Sequence, residues 1–258
     1  MHEIIQKLKK NSFLFQELVK RDFKQKYKRT ALGMLWSVLN PLLTLLVMKV
    51  IFTRFYGRNQ AFYTTYLFAG NLVYSYFRES TTGGMNSLMA NAHIFSKIKV
   101  PKYLFLLSKN VSAVINFGLT LTVFFVFAVA DGITFRWSFF MLFYPIVTLT
   151  LFNIGMGMIL SALYIFFRDI HYIYDVFTML LMYASAIFYY VDNFPGNMQR
   201  LFLLNPVYCY IKYIRCIVID GNIPSIAFHG LILLYAAIAL SIGALIYKTQ
   251  NTKFLYYV

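Results

Sequence analysis

Acidic residues are scarce: nine of them stand against 24 lysines and arginines in 258 residues. Asp131, Asp169, Asp175, Asp192 and Asp220 all fall at the ends of apolar runs or between them. That placement excludes a carrier driven by protons or sodium through carboxylates at the membrane midplane. A G-x-x-x-x-G-K-[ST] loop is also missing, as is any polar segment long enough for another nucleotide fold, so ATP is not bound and split here by the commonest route. Cys209 and Cys216 are the only cysteines. On one helix their Cα atoms lie roughly 10.5 Å apart, too far for a bridge. His2, His93, His171 and His229 lack ligand spacing, so no metal site is expected. With no convergent His, Asp or Glu set, a membrane-embedded glycan or acyl transferase is the weaker alternative, and the chain is expected not to be an enzyme. Any uphill work needs energy from a partner.

What is present is apolar: 60 % of the residues are hydrophobic and only 13 % charged. That is far more apolar side chain than a soluble core uses, so an integral membrane protein is expected. The net charge of +15 sits in short segments flanking apolar runs, which suits topology and anionic headgroups rather than nucleic acid. The densest segment, Arg21 to Leu43, carries Lys20, Arg21, Lys24, Lys26, Lys28 and Arg29 directly into an apolar run. Moving those charges across a bilayer is strongly disfavoured, so the N-terminus is expected in the cytoplasm and the run in the mature protein.

Along the chain, residues 1–30 alternate Ile4, Ile5, Leu8, Phe13, Leu14, Leu18 and Phe23 with lysines and arginines, the pattern of an amphipathic helix in the headgroup plane. Residues 31–258 form a single transmembrane domain. All-α spans are expected over about 34–53, 61–78, 111–130, 138–163, 173–191 and 225–247. Gly70 and Asn71 weaken the second, and Arg78-Glu79 close it. Residues 80–109 are basic and cytoplasmic by the same charge rule, with a short amphipathic helix stopped by Pro101. In the fourth span Asn153, Gly157 and Ser161 recur every four residues, a stripe that admits close helix approach. Within residues 192–224, Leu201 to Ile219 is long enough to cross, but Asn205-Pro206, Lys212 and Arg215 are costly in hydrocarbon. A crossing would also leave the Lys248 and Lys253 tail outside. A Pro-broken re-entrant hairpin between spans five and six, entering from the outer face, satisfies both arguments and leaves both termini cytoplasmic.

Three motifs resemble those of one family. Arg21-Asp22-Phe23-Lys24 through Lys28-Arg29, then Leu32-Gly33-Met34-Leu35-Trp36 and Asn40-Pro41-Leu42, look like the opening signature of type-2 ABC exporter permeases for lipid-linked polysaccharides, including teichoic-acid and O-antigen exporters. Phe167-Arg168-Asp169-Ile170 resembles the turn after that family's fourth span, and Leu204-Asn205-Pro206 its L-N-P before the last. The family commonly has Gly-Ser where Thr30-Ala31 stand, and a proline where Ala186 precedes Ile187-Phe188-Tyr189.

The resemblance implies a homodimer in the bacterial cytoplasmic membrane with two copies of a separate ATP-binding subunit. ATP and Mg²⁺ would be bound there, with no cofactor in this chain. It further implies coupling through roughly 86–99, with Asn86, Phe95, Lys97 and Lys99 as contacts, and through the Arg168-Asp169 turn. The alternatives are that Lys97, Lys99 and Lys102 only fix topology and that Arg168-Asp169 only caps a helix. Tyr183, Phe188, Tyr189, Tyr190, Tyr208, Tyr210 and Tyr213 cluster near the outer half. Either they form an interfacial aromatic belt or some line a path, stacking on sugar faces. Arg21, Lys24, Lys28 and Arg29 are candidates for the diphosphate of a lipid carrier. A type-2 permease for a drug or lipid is the alternative within the same class.

Overall fold

Backbone amides shielded from water must bond one another, and in so apolar a chain the helix does this without a neighbour's help. The structure is a computed structural model describing residues 11–28, 30–56, 61–98, 100–255 and 257. Helices and short 3-10 turns make up its regular structure, and there is no strand among the described residues. The helices are α1 (Ser12–Tyr27), α2 (Trp36–Tyr56), α3 (Tyr63–Ala90), α4 (Ala92–Phe95) and α5 (Tyr103–Ala130). They continue with α6 (Phe143–Phe166), α7 (Ile170–Ala184), α8 (Gly196–Phe202), α9 (Pro206–Val218) and α10 (Ile226–Gln250). Among the described residues three stretches, Tyr103–Ala130, Trp137–Phe166 and Ile226–Gln250, are long and apolar enough to cross a membrane. Helices α8 and α9 supply a fourth only if taken as one span, and they bend by 105° at their junction.

Close helix packing rests on glycine. A Cβ on Gly155 of α6 would lie 2.4 Å from the carbonyl carbon of Ala239 on α10, and one on Gly243 would lie 2.8 Å from the Gly155 carbonyl oxygen. On the expected stripe of α6, Gly157 meets Gly84 of α3, and Ser161 bonds the Tyr247 hydroxyl at 2.7 Å. Asn153 is also buried.

Several expected boundaries move. Helix α3 does not end at Arg78-Glu79 but runs to Ala90, because Ser80 donates to the Asn110 side chain and Thr81 to the Phe77 carbonyl. Glu79 likewise accepts from Asn116 of α5, while the Thr82 and Ser87 hydroxyls are buried without a partner among the described residues. The short helix expected in 80–109 is the end of α3 followed by the single turn α4. Pro101 does not stop a helix; its carbonyl accepts from the Leu104 N–H as α5 begins, eight residues before the expected 111. Helix α7 ends at Ala184, short of 191. For the amphipathic stretch, α1 is helical from Ser12, while Ile4, Ile5 and Leu8 lie outside the described residues.

Leu18 of α1, Phe95 of α4, Phe105 of α5, Ile165 of α6, Tyr247 of α10 and Phe254 share one apolar cluster. These segments gather at what is called here the basic end. At the far end, Asp131 accepts from the backbone N–H and hydroxyl of Thr65 at 2.9 and 2.7 Å. There Arg136 also reaches the Asp220 carbonyl.

Candidate functional site

At the far end the chain leaves helical geometry after Ala184, with Ala186 at φ +51°, a left-handed conformation unusual for a residue with a side chain. Unwinding frees a run of carbonyls, and those of Ala184, Ala186, Ile187, Phe188 and Tyr189 find side-chain donors. Asn205 donates to the Ala184 carbonyl and to the Ser185 hydroxyl. Arg215 donates to Ala186 at 2.9 Å and to Ile187 at 3.0 Å. Tyr63 donates to Phe188 at 2.8 Å and Tyr66 to Tyr189 at 2.7 Å.

Arg215 is the hub. Its guanidinium also gives two bonds to the Tyr66 carbonyl, at 3.2 and 3.0 Å, and lies 3.3 Å from the centre of the Tyr66 ring. The cation therefore rests on carbonyl dipoles and a π face rather than on a carboxylate bonded to it. Gly70 makes the space: a Cβ there would come within 2.8 Å of the Arg215 Nη2 and 3.1 Å of Ile187. The L-N-P motif builds the helix that carries Arg215. Asn205 Oδ1 accepts from the Val207 and Tyr208 N–H groups, and Pro206 occupies the first helical position, whose amide would be unused anyway.

A cavity of about 590 Å³ opens beside this hub, lined among others by Phe62, Tyr66, Tyr190, Asp192, Tyr208 and Asp220. Of the aromatic candidates, Tyr190 and Tyr208 line it, with Tyr190 stacked on Tyr66 at 4.1 Å. Tyr189 is half-buried and donates to the Tyr183 carbonyl, Tyr183 is exposed, and Phe188 is buried and stacked on Phe52. Tyr210 and Tyr213 are fully buried, with their hydroxyls on the Ile232 carbonyl and His229. In this conformation those two are packing side chains that tie α9 to α10.

At the basic end the central group is a carboxylate. Asp22, buried on α1, accepts from Lys109 Nζ at 2.9 Å, from the Ser108 hydroxyl at 2.8 Å and from Arg21 at 2.9 Å. Arg21 also reaches Asn91 at 2.8 Å, so the Arg-Asp pair clamps α1 onto the end of α3 and the start of α5. Lys26 pairs with Glu79 at 2.8 Å. Of the diphosphate candidates, Arg21 is thus engaged within the protein, Lys24 and Lys28 are exposed, and Arg29 lies outside the described residues.

Among the coupling candidates, Phe95 is buried against Phe105, and Asn86 bonds the Thr82 carbonyl of its own helix. Lys97 is exposed and Lys99 lies outside the described residues. Arg168 and Asp169 are exposed, and Asp169 makes no side-chain cap bond to α7. Lys102 lies over the rings of Phe95 and Phe254, at 5.6 and 5.3 Å, and donates to the Asn251 carbonyl, joining α4 to the C-terminal turn. Burial pushes its ammonium below the ordinary lysine range.

Sequence reasoning missed both hubs. Arg215 stood out only as a cost, and Asp22 only as part of a motif. A signal was present in each case: a lone arginine in an apolar helix must find acceptors, and an acid amid cations at a helix–membrane junction must pair.

The family model described as ABC-2 type transporter matches residues 13–219. Among curated proteins, the O-antigen export system permease protein RfbA of Klebsiella pneumoniae is 31 % identical, over 84 % of this chain and 86 % of its own. RfbA of Myxococcus xanthus is 26 % identical over 92 % and 94 %. The capsule polysaccharide export inner-membrane protein CtrC of Neisseria meningitidis is 21 % identical over 79 % and 76 %.

Proposed function

Since this chain belongs to the ABC-2 type transporter family, we propose that it is the permease subunit of an ATP-driven exporter that moves a lipid-linked cell-surface polysaccharide across the cytoplasmic membrane. The observation that carries the reading is that relatives from three genera, all named for export of O-antigen or capsule polysaccharide, align along most of its length. Teichoic acid, a lipid-linked polyol phosphate, is a second cargo within this proposal.

Six crossings by α2, α3, α5, α6, α7 and α10, with α8 and α9 as a re-entrant hairpin, fit the packing. Asp192 and Asp220 line one cavity with Phe62, which supports a segment that enters and leaves at the same face. An even number of crossings returns the C-terminus to the side of α1, and the cluster shared by Leu18 and Phe254 supports this. The lysines of α1 assign that side to the cytoplasm.

The energy comes from a separate subunit that binds Mg²⁺ and ATP. It docks on the exposed basic-end surface formed by Lys97 and the Arg168-Asp169 turn, and α4 passes its movement to the core through Phe95. The apolar residues exposed on α2 (Leu46, Val47, Val50) and α7 (Ile173, Val176, Leu180) need cover from lipid or from a second copy, which fits a homodimer. Tyr183, which is exposed, and Tyr190, which lines the cavity, are the aromatic candidates open to a passing polymer, while Tyr208 presents only a small part of its surface there.

A tagged chain purified from native membranes should bring down an ATP-hydrolysing subunit, and restoring it to a permease-deleted strain should restore surface polysaccharide. Recovery of the tagged chain alone, with no polymer restored, would overturn the reading.

A further inference from the structure

A second groove, of about 450 Å³, runs between α2, α3 and α5 from the basic end toward the middle of the bundle. Three polar stripes converge on it: Trp36, Asn40 and Thr44 on α2; Asn71, Ser75 and Glu79 on α3; Asn116 and Thr120 on α5. Within each helix the spacing is four residues, which puts each set on one face. From Glu79 to Asn71 the lining extends about 12 Å along α3.

Amides and hydroxyls at this depth are costly in hydrocarbon unless they bond one another or meet something polar. Here part of their bonding capacity is unused. Asn71 is 8 % exposed, and among the described residues its amide nitrogen donates to no protein acceptor. The Asn40 and Thr44 side chains likewise have no bond to a described residue, and Ser75 makes only a long one, 3.4 Å to Asn71. The unused donors and acceptors therefore point into the groove from two of its walls.

Charge narrows the ligand. The groove's cation, Lys26, and its acid, Glu79, pair with each other, and Asn116 donates to the same carboxylate at 2.6 Å. A diphosphate calls for uncompensated cations. Neutral amides, hydroxyls, one carboxylate and a partly exposed indole, Trp36, are instead the set that bonds sugar hydroxyls and covers a sugar face. We propose that this groove is a saccharide-binding subsite, which takes the sugars next to the lipid carrier while the diphosphate stays outside it. The proposal rests on the polysaccharide-export reading and adds to it which part of the substrate is held, and where.

Trp36 and Trp137 are the only tryptophans. Trp137 is 86 % exposed, so W137F leaves Trp36 as the only tryptophan of this chain with little effect on packing, and the same titration of a W36F/W137F chain subtracts the signal of the partner subunit and the nanodisc scaffold. The chain with its native ATP-binding partner in lipid nanodiscs would be titrated with two probes. One is a polyprenyl diphosphate carrying the first disaccharide of the host's surface polymer; the other is the same polyprenyl diphosphate without sugar.

The sugar-bearing probe should change Trp36 fluorescence saturably, and the bare carrier should not. Asn40→Ala, Thr44→Val and Ser75→Ala together remove side-chain bonding groups without adding bulk, and should weaken the sugar-bearing probe about ten-fold or more. An equal response to both probes, or unchanged affinity in the triple variant, would overturn the proposal and leave a groove that holds only water. Export in cells separates the two readings. If the wild-type chain restores surface polysaccharide and the triple variant binds and exports equally well, only the subsite falls; if the wild type restores none, the exporter reading falls first.

Discussion

The two ends of the bundle solve opposite electrostatic problems. At the far end one buried cation, Arg215, has carbonyl oxygens and an aromatic face around it. At the basic end one buried carboxylate, Asp22, has two cations and a hydroxyl. Carbonyl dipoles belong to the backbone and cannot swing away, so Arg215 holds the unwound 185–190 segment in a single arrangement. Ser108 is buried, whereas the charged partners of Asp22 are long side chains, and those of Arg21 and Lys109 keep 39 % and 25 % of their surface exposed. They can exchange partners when α1 shifts. The far end is therefore a fixed joint, while the basic end, where the ATP-binding subunit is proposed to dock, has a releasable clamp.

The strongest way to break this comparison is Arg215→Leu. It orphans the carbonyls of Ala186 and Ile187 at about 1–3 kcal/mol each and strips the helical Tyr66 carbonyl of its extra bonds, and thermal unfolding in detergent should show a loss of several kcal/mol or no folded protein. Asp22→Ala should cost about 2–3 kcal/mol, because the buried Ser108 hydroxyl and the partly exposed Lys109 and Arg21 lose their charge-assisted bonds. Limited proteolysis would then find α1 released while α3 to α10 stay protected. Gly70→Ala tests the joint without removing a bond. Its Cβ pushes against the guanidinium, so a loss of about 1–3 kcal/mol is expected, and an unchanged melting temperature would mean that Arg215 has room to move. Asn205→Ala removes the cap of α9 and should cost about 1 kcal/mol.

The smallest effect sharpens the contrast. Raising salt to about 1 M shortens screening to about 3 Å, which should ease α1 away from α5 in hydrogen exchange and leave protection around Arg215 unchanged. Equal loosening at both ends would remove the distinction between joint and clamp.

Much of this could be read in the chain. The long apolar runs ending in basic clusters identified α5, α6 and α10, and the four-residue stripe on α6 placed Gly157 and Ser161 where other helices approach. Where reading failed, polar residues were taken as breaks. Arg78-Glu79 closed a span on paper, yet α3 continues because Ser80 and Glu79 find partners on α5. The site was less legible than the fold. Tyr210 and Tyr213 share composition and neighbourhood with Tyr190 and Tyr208, but the first two bond α10 through their hydroxyls while Tyr190 and the largely buried Tyr208 line a cavity. Helical phase within one segment does not say which face meets a neighbour.

By itself the sequence determined the helical, membrane-embedded class and the basic end. Those depend on local apolarity and on charge placement. The tertiary structure alone decided what makes Arg215 tolerable, because its acceptor Tyr66 lies 149 residues away in sequence. It also decided that Asn40, Asn71 and Asn116 face one groove. A hydrogen bond forms over about 3 Å between atoms that only folding brings together, and no pattern along a single helix contains that distance.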